Sequence, residues 1–148
     1  MGESVNMLDL IKEQFALSGT NPGLYSPLTL AFIGDSVFGM IVKSVAVLEG
    51  NCPANELDKK AVRYVKASAQ AGMVDYLLEQ NLLTQEEEDI VRRGRNAKSS
   101  STAKNASVGD YRKATGLEAL VGYLYLSGRC ERCIEIIKAG ITAVESHN

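Results

Sequence analysis

Apolar residues recur at helical spacing along most of the chain, and no segment alternates between apolar and polar residues as a half-buried strand would. Two segments are apolar nearly all round, Leu28 to Leu48 and Ala114 to Leu126, which is typical of helices buried on most sides. The pattern predicts an all-α fold of about seven helices around a buried central helix at Leu28 to Leu48. The other predicted helices are amphipathic and span 4–17, 55–65, 68–78 and 129–146, with one more beginning after Thr84.

Two of the predicted helices carry start signals. Thr84, followed three residues later by Glu87, forms a capping box, and the acids around Glu87 suit the positive end of a helix. We interpret those acids as a solvated face. Ser107 followed by Asp110 is a weaker signal of the same kind, before the second apolar helix. Residues 97–109 have little apolar content and no periodicity, so they predict a loop.

Length and composition are those of an ordinary globular protein. The 148 residues are 45% hydrophobic and 23% charged, with a formal net charge of −2. We expect one domain over 1–148, in which residues 1–23 form an N-terminal helix and loop. The first residues show no secretory signal and charges interrupt the longest apolar runs, so a cytoplasmic protein without a membrane partner is predicted.

Cysteine and histidine usage argues against several kinds of chemistry. Cys52, Cys130 and Cys133 make an odd number of thiols, which does not indicate a disulfide framework. Cys130 and Cys133 have C-x-x-C spacing, but no second pair or nearby histidine completes a zinc site, so we expect reduced thiols on a helix. The sole histidine, His147, is the penultimate residue, which argues against Ser-His-Asp and Cys-His catalysis.

One acid interrupts each of the two apolar helices. Asp35 follows Gly34 in the first, and Glu118 lies between Gly116 and Gly122 in the second. A buried carboxylate that is ionised and unpaired is unfavourable, so each acid must be protonated, paired with a base or bound to a metal ion. Two such acids on core helices predict a single site, although separate ion pairs would account for them as well. Gly34, without a side chain, would let a ligand or another backbone approach closely.

The sign of the charge reverses after the acidic helix start. The segment from Val91 to Gly109 contains arginines and lysines but no acid. Because the net charge of the chain is close to zero, any polyanion would have to be bound by such a local patch. A solvated charge run is the alternative interpretation.

Three segments taken together resemble a known family: FIGDSVFG at 32–39, RRGRNAK at 92–98 and YRKATGLEALVGYLYL at 111–126. The set resembles the ribonuclease III catalytic domain, and more closely its short bacterial form, Mini-ribonuclease III, which lacks a separate double-stranded-RNA-binding domain. The resemblance covers the chain from Leu24 to Ile141. It implies a homodimer that cleaves double-stranded RNA, with a large-subunit ribosomal RNA precursor as the natural substrate.

The resemblance also implies that Asp35 and Glu118 are the catalytic acids and the ligands of Mg²⁺, for which Mn²⁺ can substitute. Mg²⁺ prefers oxygen ligands and keeps several waters, so two carboxylates and phosphate oxygens suffice to hold it. A water activated by the metal could attack the phosphodiester without help from histidine. Two further acids of the wider family pattern are absent, because Ala31 and Thr115 stand at their positions.

The same resemblance implies that the basic segment binds RNA. Side chains at a helix end and in a loop can follow an RNA duplex, which is read mainly through its phosphates and 2′-hydroxyls. Such contacts position the substrate without specifying bases. The candidate RNA-binding residues are Arg92, Arg93, Arg95, Asn96, Lys98 and Lys104.

Two other functions remain open at this point. Ala31 and Thr115 would fit a non-catalytic RNA-binding or ribosome-associated protein that kept the fold, whereas the presence of both Asp35 and Glu118 favours the enzyme. An all-α adaptor that binds a protein through its acidic face would explain neither acid. Incubation of the protein with duplex RNA and Mg²⁺ separates the three, because only the enzyme cuts.

Overall fold

The computed structural model describes residues 6–97 and 107–146, and within these ranges the regular structure is helical throughout, as predicted. Lys98, Lys104 and His147 lie outside the described residues. A short 3-10 turn at Pro22–Leu24 precedes the central helix. The helices are α1 Met7–Gln14, α2 Pro27–Glu49, α3 Ala54–Val65, α4 Ala67–Glu79, α5 Gln85–Asn96, α6 Val108–Leu126 and α7 Cys130–Ser146.

Two predicted helix starts are confirmed by their hydrogen bonds. At α5 the Thr84 backbone N–H donates to Glu87 Oε1 at 2.9 Å, and the Glu87 N–H donates to Thr84 Oγ1 at 3.1 Å. At α6 the Asp110 N–H donates to Ser107 Oγ at 3.0 Å. These bonds satisfy backbone donors that no helical carbonyl can reach.

The sequence predicts that Asn55 caps α3 and that α4 begins at Ser68, and these starts are wrong by two residues and by one residue. Helix α3 begins at Ala54 after Pro53 and has no side-chain cap, so Asn55 lies inside its first turn. Helix α4 begins at Ala67 rather than Ser68. The Pro53 carbonyl accepts hydrogen bonds from the Glu56 and Leu57 N–H groups at 2.9 and 3.1 Å, so backbone bonds close the first turn of α3.

Helices α2 and α6 form the centre of the fold and pack more extensively than any other described pair. Glycines allow this contact. A Cβ on Gly34 would lie 1.7 Å from the carbonyl oxygen of Glu118, and one on Gly122 would lie 2.0 Å from the carbonyl oxygen of Leu30. The two backbones therefore touch, and Gly34 admits another backbone, as its sequence context predicted.

The two central helices differ in how far they are buried. Helix α6 is buried on most sides, as predicted, with Leu117, Leu120 and Leu124 at 1% exposure or less. Helix α2 is not, because one of its faces is apolar and open to solvent; Phe32 is 80% exposed there and Met40 51%. This helix is long and apolar enough to cross a membrane by length and composition, a property that it shares with core helices of soluble proteins.

The acidic start of α5 is not a uniformly solvated face, which corrects our interpretation of the sequence. Glu87 has 0% exposure and accepts two hydrogen bonds from the guanidinium of Arg132 on α7, at 2.9 and 2.7 Å. Arg132 also donates to the Leu82 carbonyl at 2.8 Å. The hydrogen bonds from Arg132 favour the ionised carboxylate, so they hold the pKa of Glu87 below its ordinary value.

Candidate metal centre and nucleic-acid surface

Asp35 on α2 and Glu118 on α6 meet in one open cavity of about 380 Å³, whose other walls come from α3 and α4. The two carboxyl groups are close enough to interact, and the Asp35 carboxyl raises the pKa of Glu118. Among the described residues neither acid forms an ion pair with a base. Of the two interpretations left open by the sequence, the geometry fits the single site.

The two acids differ in their surroundings. Glu118 is half-buried, whereas Asp35 is exposed, so the expectation that Asp35 is buried is wrong. Asp35 lies at the border between the core side of α2 and the open face that carries Phe32. The sequence could not show that Asp35 is exposed, because the residues on the core side of α2 and those on its open face are both apolar.

Electrostatics in the cavity favour a proton or a cation. Burial raises the pKa of Glu118 to about 8, and its hydrogen bond with Asp35 and the Asp35 charge act in the same direction. A hydrogen bond from Gln70 acts in the opposite direction, since it favours the ionised carboxylate. A bound cation would remove the repulsion between the two acids and leave both ionised.

The donor set fits a hard divalent cation that keeps part of its water shell. The described residues contain no cluster of three or more histidine, cysteine, aspartate or glutamate side chains, so the protein offers two carboxylates and no closed cage. Mg²⁺ is bound in this way in phosphate-handling sites. Ala31 and Thr115, which stand where the wider family pattern has acids, line the same cavity. The Thr115 hydroxyl donates to the Tyr111 carbonyl of its own helix at 3.0 Å.

Gln70 on α4 is a member of this site that our sequence analysis missed. Its side chain lines the cavity and is 2% exposed. Nε2 donates to the Val65 carbonyl at 3.1 Å, and the side chain lines the same cavity as Glu118. A signal was present in the sequence, because Gln70 is a single amide in the apolar stripe of α4, as Asp35 and Glu118 are single acids in theirs.

The basic residues at the end of α5 lie on a helix that packs against α6. A Cβ on Gly94 would lie 2.8 Å from Gly116 Cα, so the two backbones touch at this point. The candidate side chains in the described part of this segment, Arg92, Arg93, Arg95 and Asn96, are all exposed. Arg92 is paired with Asp89 at 2.9 Å.

Arg93 and Arg95 form no ion pair with any described residue, so their charges are available to a ligand. A larger cleft of about 740 Å³ lies on another side of α4 and contains Asp75. Asp75 is already paired there with Lys113 at 2.8 Å. That cleft is larger than the two-carboxyl cavity, but it does not contain two acids that both lack a basic partner.

The fold agrees with what comparison with known proteins finds. Residues 28–129 match the Ribonuclease III domain, and the matched range contains both acids, Gln70 and the basic end of α5. The chain therefore belongs to the ribonuclease III family. The predicted all-α ribonuclease III-type fold and endoribonuclease activity are thus confirmed at the level of the family.

Within that family the curated relatives are of the short form that the sequence resembles. A Mini-ribonuclease 3 from Thermoanaerobacter is 50% identical over 81% of this chain and 83% of its own length. One from Brevibacillus brevis is 47% identical over 86% of this chain and 94% of its own. A crystal structure of a protein from Fusobacterium nucleatum superposes with a TM-score of 0.73 at 28% identity, covering 84% of this chain and 98% of that one.

Proposed function

We propose that this chain is a Mg²⁺-dependent endoribonuclease that hydrolyses phosphodiester bonds in double-stranded RNA, with Asp35 and Glu118 as catalytic acids and metal ligands. The observation that carries the proposal is the meeting of two carboxyl groups from separate helices in one open cavity without a basic partner among the described residues. Keeping two like charges together is unfavourable unless a cation joins them.

The residues of the cavity have separate tasks in this reaction. Mg²⁺, or Mn²⁺ in its place, would supply neutralisation of charge at the scissile phosphate and a more acidic water. Asp35, on the exposed side, presents its carboxylate where a phosphate can approach. Glu118, deeper in the cavity, must release its proton before it can ligate, because a metal ligand has to be deprotonated.

RNA binding is assigned in this proposal to the end of α5 and the segment that follows it. Arg93 and Arg95 are exposed and lie on a helix that packs against α6, the helix that carries Glu118, so we assign to them the backbone phosphates that flank the scissile one. Asn96 and Arg92 extend the same surface. Lys98 and Lys104 are included from the sequence, and they lie outside the described residues.

We also propose a homodimer formed through the open face of α2. The glycines that first suggested close packing, Gly34 and Gly122 among them, are used within the protomer and no longer support a dimer. The support is now the exposed apolar face of α2, where Phe32 and Met40 would be covered by a second copy. Asp35 borders that face, so a dimer would bring the two cavities to one side for the two strands of a duplex.

The domain extent, the cellular location and the natural substrate complete the proposal. We propose a single catalytic domain over 1–148, acting in the cytoplasm on a precursor of large-subunit ribosomal RNA. The family match over residues 28–129 and the Mini-ribonuclease 3 names of the relatives support these assignments. A non-catalytic RNA-binding protein is less well supported, because it would have no use for two unpaired carboxyl groups.

The test compares wild type with D35N and E118Q on a labelled RNA duplex, with Mg²⁺ or with a chelator. Each variant should lose about 100-fold or more in cleavage rate while retaining helix content and duplex binding. D89N is a matched control, because it removes a half-buried acid outside the cavity whose only described ion pair is with Arg92.

Cleavage by either site variant at the wild-type rate would refute the assigned roles. Wild-type protein that binds the duplex but does not cut it with Mg²⁺ would favour the non-catalytic alternative. Equal cleavage of a single-stranded RNA would remove the double-strand specificity from the proposal.

A further inference from the structure

At the junction between α3 and α4, a side-chain amide forms a hydrogen bond with the last carbonyl of α3. A single residue, Lys66, separates the two helices and has extended backbone angles, φ −64° and ψ 149°. The carbonyl of Val65, at the end of α3, accepts a hydrogen bond from Gln70 Nε2 at 3.1 Å. The Gln70 side chain therefore folds back over the first turn of α4 and satisfies a carbonyl that the helix leaves open.

The same amide reaches the cavity that contains the two acids. An amide NH₂ has two protons, so Gln70 can donate one to Val65 and the other to the Glu118 carboxyl, which lines the same cavity. The Gln70 Oε1 atom is buried and has no hydrogen-bond partner among the described residues. An apolar side chain of similar size would fill the space without leaving a buried acceptor unpaired, so packing alone does not account for a glutamine here.

We propose that Gln70 is a positioning residue of the metal site, which holds the Glu118 carboxyl in the direction needed to bind the cation. This inference rests on the proposed function. The rigid anchor is the Val65 carbonyl, so the α3–α4 junction becomes part of the site although neither helix supplies a charged ligand. Partners of this kind fix the orientation of a ligand and increase its affinity for metal.

The rest of the cavity explains why such a residue is needed. Ala31 has no polar group, and the Thr115 hydroxyl is bonded to the Tyr111 carbonyl. The other acid in the cavity is Asp35, and a second carboxylate does not orient Glu118 for a cation but repels it when both are ionised. Gln70 is therefore the neutral side chain in the cavity, anchored on Val65, that can orient the Glu118 carboxyl.

The test measures Mn²⁺ binding by electron paramagnetic resonance, without RNA, in wild type, Q70M and T84A. Q70M removes the amide at nearly constant volume and should raise the Mn²⁺ dissociation constant by about 10- to 100-fold. T84A removes the α5 capping box, which also lowers stability but lies outside the cavity, and should leave the constant within about twofold of wild type.

A second measurement keeps Gln70 in place, in case Q70M unfolds. The Gln70 side-chain amide signals in a nitrogen-proton correlation spectrum should shift in E118Q and stay unchanged in the D89N control. Unchanged Gln70 signals in E118Q, or an Mn²⁺ constant in Q70M equal to that of wild type, would overturn the inference alone. Wild-type protein that binds no Mn²⁺ would overturn the metal site and this inference together.

Discussion

At the scale of single residues, Glu118 and Glu87 respond oppositely to pH. Burial raises the pKa of Glu118 to about 8 from an ordinary 4.5, so between these values the folded chain retains a proton that the unfolded chain has released. The stability of the metal-free protein should therefore fall as the pH rises through this window. For Glu87 the hydrogen bonds of Arg132 lower the pKa, so its contribution is present above 4.5 and is lost as the pH falls further.

We expect the melting temperature with chelator to decrease between about pH 5 and about pH 8, and the decrease to be much smaller in E118Q. Saturating Mg²⁺ should remove the decrease in wild type, because binding selects the ionised carboxyl. The loss of stability at acid pH should persist in E118Q, since it belongs to Glu87. A wild-type profile that rises over the same window would show that Glu118 is already ionised in the folded protein.

The buried ion pair between α5 and α7 gives a second prediction at this scale. R132M should destabilise the protein by about 2 to 4 kcal/mol, measured by urea unfolding, because it leaves the buried Glu87 carboxylate with Arg129, at 4.0 Å, as its remaining basic partner among the described residues. The double variant E87Q/R132M should recover part of this loss, because it buries no charge. A double variant less stable than R132M would mean that the charge of Glu87 is not what makes the single change harmful.

At the scale of helices, the crossing of α2 and α6 decides where the two acids meet. G34A places a Cβ where the Glu118 carbonyl oxygen stands, so the helices must separate. We expect a loss of about 3 kcal/mol or more in unfolding free energy, together with weakened Mn²⁺ binding. G39A on the same helix is the matched control, because its Cβ would meet nothing within 4 Å, and it should be neutral or slightly stabilising.

The end of α5 should contribute affinity for RNA without contributing to stability. The triple variant R93A/R95A/K98A should raise the dissociation constant for duplex RNA and reduce its salt slope by about one unit for each phosphate that is no longer neutralised. The melting temperature should stay nearly unchanged, because Arg93 and Arg95 have no ion pair among the described residues. R92A, whose charge is already paired with Asp89, should have a smaller effect. Unchanged affinity and salt slope in the triple variant would place the RNA elsewhere.

At the scale of the whole molecule, the apolar face of α2 predicts self-association. F32D introduces a charge at the most exposed part of that face and should convert a dimer into a monomer at micromolar concentration in analytical ultracentrifugation. V62D, at a 46% exposed position on α3, is the control and should leave the assembly unchanged. A wild-type monomer under these conditions would oppose the dimer, and a dimer that persists in F32D would assign its interface to another surface.

The sequence by itself determined the features that depend on residues close together in the chain. Helical periodicity, the Thr84–Glu87 capping box and the Ser107 start are local, so they could be predicted and are confirmed. Asp35 and Glu118 also stood out, because a lone acid in an apolar run is visible without coordinates.

Only the tertiary structure decided which side chains are buried and what they touch. Asp35 proved exposed and Glu87 buried, although their surroundings in sequence suggested the reverse. Gln70 became part of the site because the α3–α4 junction turns its amide toward Glu118. The physical reason is that burial depends on how helices from distant parts of the chain cross. A glycine such as Gly34 allows a short distance between two helices, but only the folded protein shows which backbone packs against it.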